Sequence, residues 1–179
     1  MANTTFDGPV RSRNGFQSIG PGSVIALTAA TDLTVADHAG RIVTMDPVGT
    51  PTAITLPTII ATADGASAGP GSDPNNKSTV GTTFEILFID EFTGSISTDG
   101  TDKFVGSIMI GVDDGAKKAF VPAASNDVMN LNGEAGAGNA TKGGLIGSRV
   151  KFTATADNTY MVEGLLIGDG TIATPFADA

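Results

Sequence analysis

About ten short runs of apolar and β-branched residues recur along the chain, each closed by Gly, Pro or Asp at roughly the 8–12-residue spacing of successive strands. No stretch carries the apolar period of an amphipathic helix. Such a chain hides its apolar side chains by pairing strands, so the expected fold class is all-β: a single antiparallel β-sandwich or distorted barrel. Arg41–Asp46 and Ala53–Pro57 set the pattern as consecutive strands. Ile54 and Leu56 alternate with Ala53 and Thr55, and Pro57, which has no N–H to donate, stops the ladder.

The strongest strand signal is Thr82–Asp90, with Phe84, Ile86 and Phe88 on one face. Leu87 and Ile89 make its far half apolar on both faces, which implies burial on both sides, either at the sheet's centre or at a subunit interface. Ser23–Thr28 and Leu33–Ala36 read as earlier strands, and Asp37–Gly40 as a tight turn. Gly147–Thr155 alternates cleanly, with Val150, Phe152 and Ala154 inward and Arg149, Lys151, Thr153 and Thr155 outward. With a turn at Asp157-Asn158 and a return along Thr159–Gly168 it forms a C-terminal hairpin. Phe176 anchors a closing edge segment.

Residues 1–22 differ from the rest. They hold two prolines and four glycines, show no periodicity that buries a face, and carry +1, whereas residues 23–179 carry −10. They are expected to form an extended N-terminal arm able to reach about 70 Å, with Phe6, Val10, Phe16 and Ile19 as apolar residues to bury. Residues 23–179 form the β domain, interrupted by a long polar loop at 61–79 and a Gly-rich loop at 133–144, and loops of such length are commonly functional.

Composition narrows the chemistry. With no Cys and one His, disulfides, thiol nucleophiles and multi-histidine zinc sites are excluded. A net charge of −9 with scattered Lys and Arg argues against nucleic acid as a partner. No apolar run approaches the roughly 18 residues of a membrane span, and no membrane partner is expected. His38 sits beside Asp37 without a nucleophile motif, so it reads as structural. Asp99/Asp102 and Asp113/Asp114 pair carboxylates, but a glycosidase cleft lined with aromatics is not available to a chain with no Trp and one Tyr. Asp99-Gly-Thr-Asp102 reads as a turn rather than a calcium loop. The 133–144 loop lacks phosphate-loop spacing and precedes a strand rather than a helix. No enzyme activity, catalytic residue, cofactor or metal is expected.

Taken together, Thr31–Asp46, Ala53–Pro57, Phe84–Phe88, Asp102–Gly106, Tyr160–Gly164 and Pro175-Phe176 resemble small structural proteins of tailed bacteriophages, most closely capsid decoration (cement) proteins, and Phe6–Phe16 is similar to their N-terminal arms. The resemblance implies a β domain, often a homotrimer, on the outer capsid surface of a virion assembled in the host cytoplasm. Its partner would be the major capsid protein. On this reading Phe6, Val10, Arg11, Arg13 and Phe16 form the capsid-binding arm, and Leu87 and Ile89 belong to the subunit interface. The 61–79 insertion departs from the pattern. The alternative is a head-fibre or receptor-binding module contacting host surface glycans.

Overall fold

In the computed structural model, which describes residues 23–46, 52–60, 78–112, 117–134 and 138–179, the chain winds back and forth between two open sheets. It begins with β1 (Val24–Leu27), β2 (Thr31–Asp32), the one-turn helix α1 (Val35–His38), β3 (Ile42–Met45), β4 (Thr52–Thr55), β5 (Thr83–Phe88) and β6 (Thr93–Ser97). It continues through β7 (Lys103–Gly111), β8 (Lys117–Phe120), β9 (Val128–Asn132), β10 (Arg149–Ala156), β11 (Thr159–Ile167) and β12 (Phe176–Ala177). The seven-stranded sheet runs β1-β3-β5-β10-β11-β7-β8 and the five-stranded sheet β12-β9-β6-β4-β2. The result is a β-sandwich, not a closed barrel.

The first six strands alternate strictly between the sheets. Each return adds a strand parallel to the one laid down a turn earlier: β1, β3 and β5 on one side and β2, β4 and β6 on the other. The sheets are therefore mixed, and the expected purely antiparallel arrangement is corrected. From β1 to β6 each strand crosses to the other sheet rather than folding back beside its predecessor, so β3 and β4 place their apolar residues on opposite walls of one core. Val43 and Met45 face it from the seven-stranded sheet, and Ile54 faces it from the five-stranded sheet. Antiparallel pairing returns in β5–β10, in the β10–β11 hairpin and in β6–β9–β12. The hairpin turns where the sequence placed it, with Asn158 at φ 55°.

The core is the layer between the sheets. Phe84, Ile86 and Phe88 point into it from β5, and Val150, Phe152 and Ala154 from β10, as the alternation requires. Phe104 of β7 stacks against Phe152 at a ring separation of 5.4 Å and reaches across to Phe176 of β12 at 6.3 Å, tying the two sheets together. The expected strand Leu33–Ala36 is corrected: β2 ends at Asp32 and α1 begins at Val35. Thr34 decides this as the N-cap, its hydroxyl accepting the Asp37 N–H at 3.2 Å. The helical turn occupies part of the expected Asp37–Gly40 turn. The arm at 1–22, most of the 61–79 loop and Asp113-Asp114 lie outside the described residues.

Candidate functional site

Among the described residues, the His and Asp side chains singled out for chemistry are engaged in local hydrogen bonds. His38, the last residue of α1, is buried, and its Nδ1 accepts the Thr34 N–H at 3.0 Å. Asp37 bonds the Thr34 hydroxyl at 2.9 Å. The pair closes a helical turn and does not form a dyad.

Asp99 and Asp102 build the corner between β6 and β7. Asp99 Oδ1 accepts the N–H groups of Thr101 and Asp102, and Oδ2 accepts the Thr58 hydroxyl at 2.7 Å. Burial works to raise its pKa, but these donors outweigh it and hold the carboxyl below the usual range. Asp102 is fully buried. Its Oδ2 accepts the Ile59 N–H at 2.9 Å, while Oδ1 has no hydrogen-bond partner. Burial pushes its pKa up against the Ile59 bond, and the carboxylates of Asp99 and Asp157 push the same way. Tyr160 donates to the Pro57 carbonyl at 2.6 Å; burial, then Asp102 and Asp99, raise its phenol well above the ordinary value. Among the described residues no group of three or more His, Cys, Asp or Glu is placed to hold a metal ion.

Asp127, which the sequence reading did not single out, joins three parts of the chain. Lys103 of β7 bonds its Oδ2, and the Ala179 N–H bonds its Oδ1 at 2.8 Å. Burial opposes ionisation there, but the Lys103 ammonium and the Ala179 N–H prevail and lower the pKa. In the described part of the Gly-rich loop, residues 133–134 and 138–144, polar groups are turned inward. Asn132 binds Asn139 O and Thr141 Oγ1 and accepts the Lys142 N–H, and Asp169 accepts the Gly138 N–H.

The outer face of the seven-stranded sheet is different. Register aligns Leu87, Arg149, Leu165 and Met109 in one row across β5, β10, β11 and β7. Leu165 is 53% exposed and Met109 45%, and Ile167 and Val105 are also exposed. Of the two candidate interface residues, Leu87 lies half-buried in this row and Ile89, just beyond β5, is 47% exposed. The described residues therefore leave the apolar far half of the strand uncovered. Two ion pairs lie in the same surface, Arg149–Glu85 at 2.8 Å and Lys151–Glu163 at 3.0 Å. At one corner a groove of about 900 Å³ is lined by Met109, Lys117, Leu145, Ile146, Leu165 and Ile167 among others. Leu165, Met109 and Ile167 escaped the sequence reading, although the doubly apolar pattern of Glu163–Gly168 carried the signal. The arm residues Phe6, Val10, Arg11, Arg13 and Phe16 lie outside the described residues.

The outer face of the five-stranded sheet bears Ala53, Ser95 and Asn130 around a shallow depression without an aromatic side chain. Comparison with protein-family models, with curated proteins and with solved structures finds no match to this chain.

Proposed function

We propose that this chain is a structural virion protein of a tailed bacteriophage, a decoration protein that binds the outer capsid surface as a homotrimer and stabilises it. The observation that carries the reading is the outer face of the seven-stranded sheet. It is a broad surface of exposed apolar side chains and paired charges, the chemistry of protein–protein contact, whereas the polar clusters elsewhere are spent on holding turns. The resemblance of the strand and turn motifs to cement proteins supports the same reading.

In this mechanism the sandwich is a rigid platform, and Phe6, Val10, Arg11, Arg13 and Phe16 attach it to the major capsid protein. Three arms on one trimer raise the local concentration of each, so weak single contacts add up to stable attachment. The test is re-addition of purified protein to capsids stripped of surface proteins. Saturable binding that raises the temperature of capsid disruption is expected. Failure to bind, or binding of the free protein to host cells instead, would overturn the reading in favour of a receptor-binding module. Deleting residues 1–20 should abolish occupancy, and unchanged occupancy would remove the arm from the mechanism.

A further inference from the structure

We infer that the outer face of the seven-stranded sheet is the docking surface for a second copy of this chain. The inference deepens the assembly part of the proposed function but does not need a capsid, since it concerns the free protein.

The chain contains its own control. A sheet face turned to water alternates polar residues outward, and the five-stranded sheet comes close to this, with the small or polar Ala53, Ser95 and Asn130 in one row and Thr55, Ser97 and the buried Val128 in another. On the seven-stranded sheet the outward positions hold Leu87, Leu165, Met109, Val105 and Ile167 beside the paired charges of Glu85, Arg149, Lys151 and Glu163. Both faces come from one sequence of low charge, so composition does not explain the difference.

Size is sufficient. Seven strands about 4.8 Å apart and about six residues long cover roughly 30 Å by 20 Å, or about 600 Å² in projection. That is close to the ~800 Å² of accessible surface that each partner contributes to a standard interface.

Charge selects the occupant. The protein carries −9, so two copies repel across most pairs of surfaces. Many of the acids sit in loops and at strand ends, among them Asp46, Asp90, Asp99, Asp157 and Asp169. On this sheet face Glu85 and Glu163 are balanced by Arg149 and Lys151, with Lys117 at the margin. A basic partner would be drawn to the acidic loops. A copy of the same acidic chain is best met where the charge is already neutralised and apolar area remains to be buried. The groove beside Met109, Ile146 and Leu165 then receives side chains from the neighbouring copy.

The test is sedimentation velocity of the full chain across a concentration series up to about 100 µM, a range that resolves micromolar association. The wild type should sediment as a multiple of one chain. The double variant Met109→Lys/Leu165→Lys should weaken association at least about tenfold, and Ser95→Lys/Asn130→Lys on the other sheet should leave it unchanged. Circular dichroism checks that each variant is folded. If the lysine pair does not fold, Met109→Gln/Leu165→Ser takes its place, with the same expected loss of association. A monomeric wild type, or undiminished association of a folded face variant, overturns the inference. So does loss of association on deleting residues 1–22 while the face variant still associates, which would make the arm the occupant. Capsid binding is scored separately: a monomer that decorates capsids defeats this interface and the homotrimer but leaves decoration standing, and an assembling chain that ignores capsids defeats decoration and leaves this interface standing.

Discussion

Asp102 shows how much one side chain can hold at a corner. Its carboxylate fixes the Ile59 N–H at the end of the segment after β4, yet its second oxygen is buried without a partner. The charged form is therefore disfavoured and the folded-state pKa lies above the ordinary 3.8. A raised carboxyl pKa contributes stability that is complete below the unfolded value and is lost as pH rises through the folded value. Asp102→Asn keeps the acceptor for Ile59 and removes the charge. Its stability relative to the wild type should climb as pH increases from about 4 and then level off, as read by urea unfolding at several pH values. Asp102→Ala removes the same charge and should follow the same pH trend, but about 1–3 kcal/mol below Asp102→Asn, because a buried N–H loses its acceptor. Asp127 runs the other way. Its pKa is lowered, so its contribution is present above the unfolded value and disappears as pH falls through the folded one. Lys103→Met should remove that acid-side loss and destabilise the protein at neutral pH, since Asp127 would keep only the Ala179 N–H.

Among the elements, the ladder β10–β11–β7 joins the longest strands of the seven-stranded sheet, and its fit depends on Gly106. That residue lies opposite Val162 at φ 107°, and a β-carbon there would collide with the Val162 carbonyl oxygen. Gly106→Ala should cost more than about 1 kcal/mol, combining a strained left-handed φ with a backbone clash, and thermal unfolding measures it. Amide exchange should be slowest in β10 and β11 and fastest in the two-residue edge strands β2 and β12. Strand identity was legible wherever residues alternate about a single buried face, as in Val150–Ala154 and Phe84–Phe88. Sheet membership was not. Nothing local in Arg41–Asp46 or Ala53–Pro57 says that the chain crosses from one layer to the other between them, because both strands face the same core from opposite sides. The pairing that results, β3 with β1 and β5, joins residues far apart in the chain. Leu33–Ala36 misled for a different reason: four residues of β-type composition were overruled by a Thr cap. Leu87 and Ile89 were legible as apolar beyond the single buried face of the strand, whereas the row that Leu87 joins needed the β10, β11 and β7 registers to be seen.

At the scale of the molecule, two kinds of contact are proposed, and they should respond to salt with opposite sign. Copies that each carry −9 repel one another, while the surface proposed to join them is apolar and internally balanced. Raising ionic strength shortens the screening length from about 10 Å at 0.1 M to about 3 Å at 1 M, which weakens the long-range repulsion but leaves apolar burial intact. Association between copies should therefore tighten with salt. The proposed attachment through Arg11 and Arg13 would rely on pairing with carboxylates of the capsid, and exposed pairs of that kind weaken under the same screening. Sedimentation of the free protein and co-sedimentation with stripped capsids, run over one salt series, separate the two. Parallel weakening would mean that copies are also held by exposed ion pairs, and the sheet face would lose its place as the interface. Parallel strengthening would mean that apolar residues such as Phe6 and Phe16 dominate the capsid contact and that the two arginines contribute little to it.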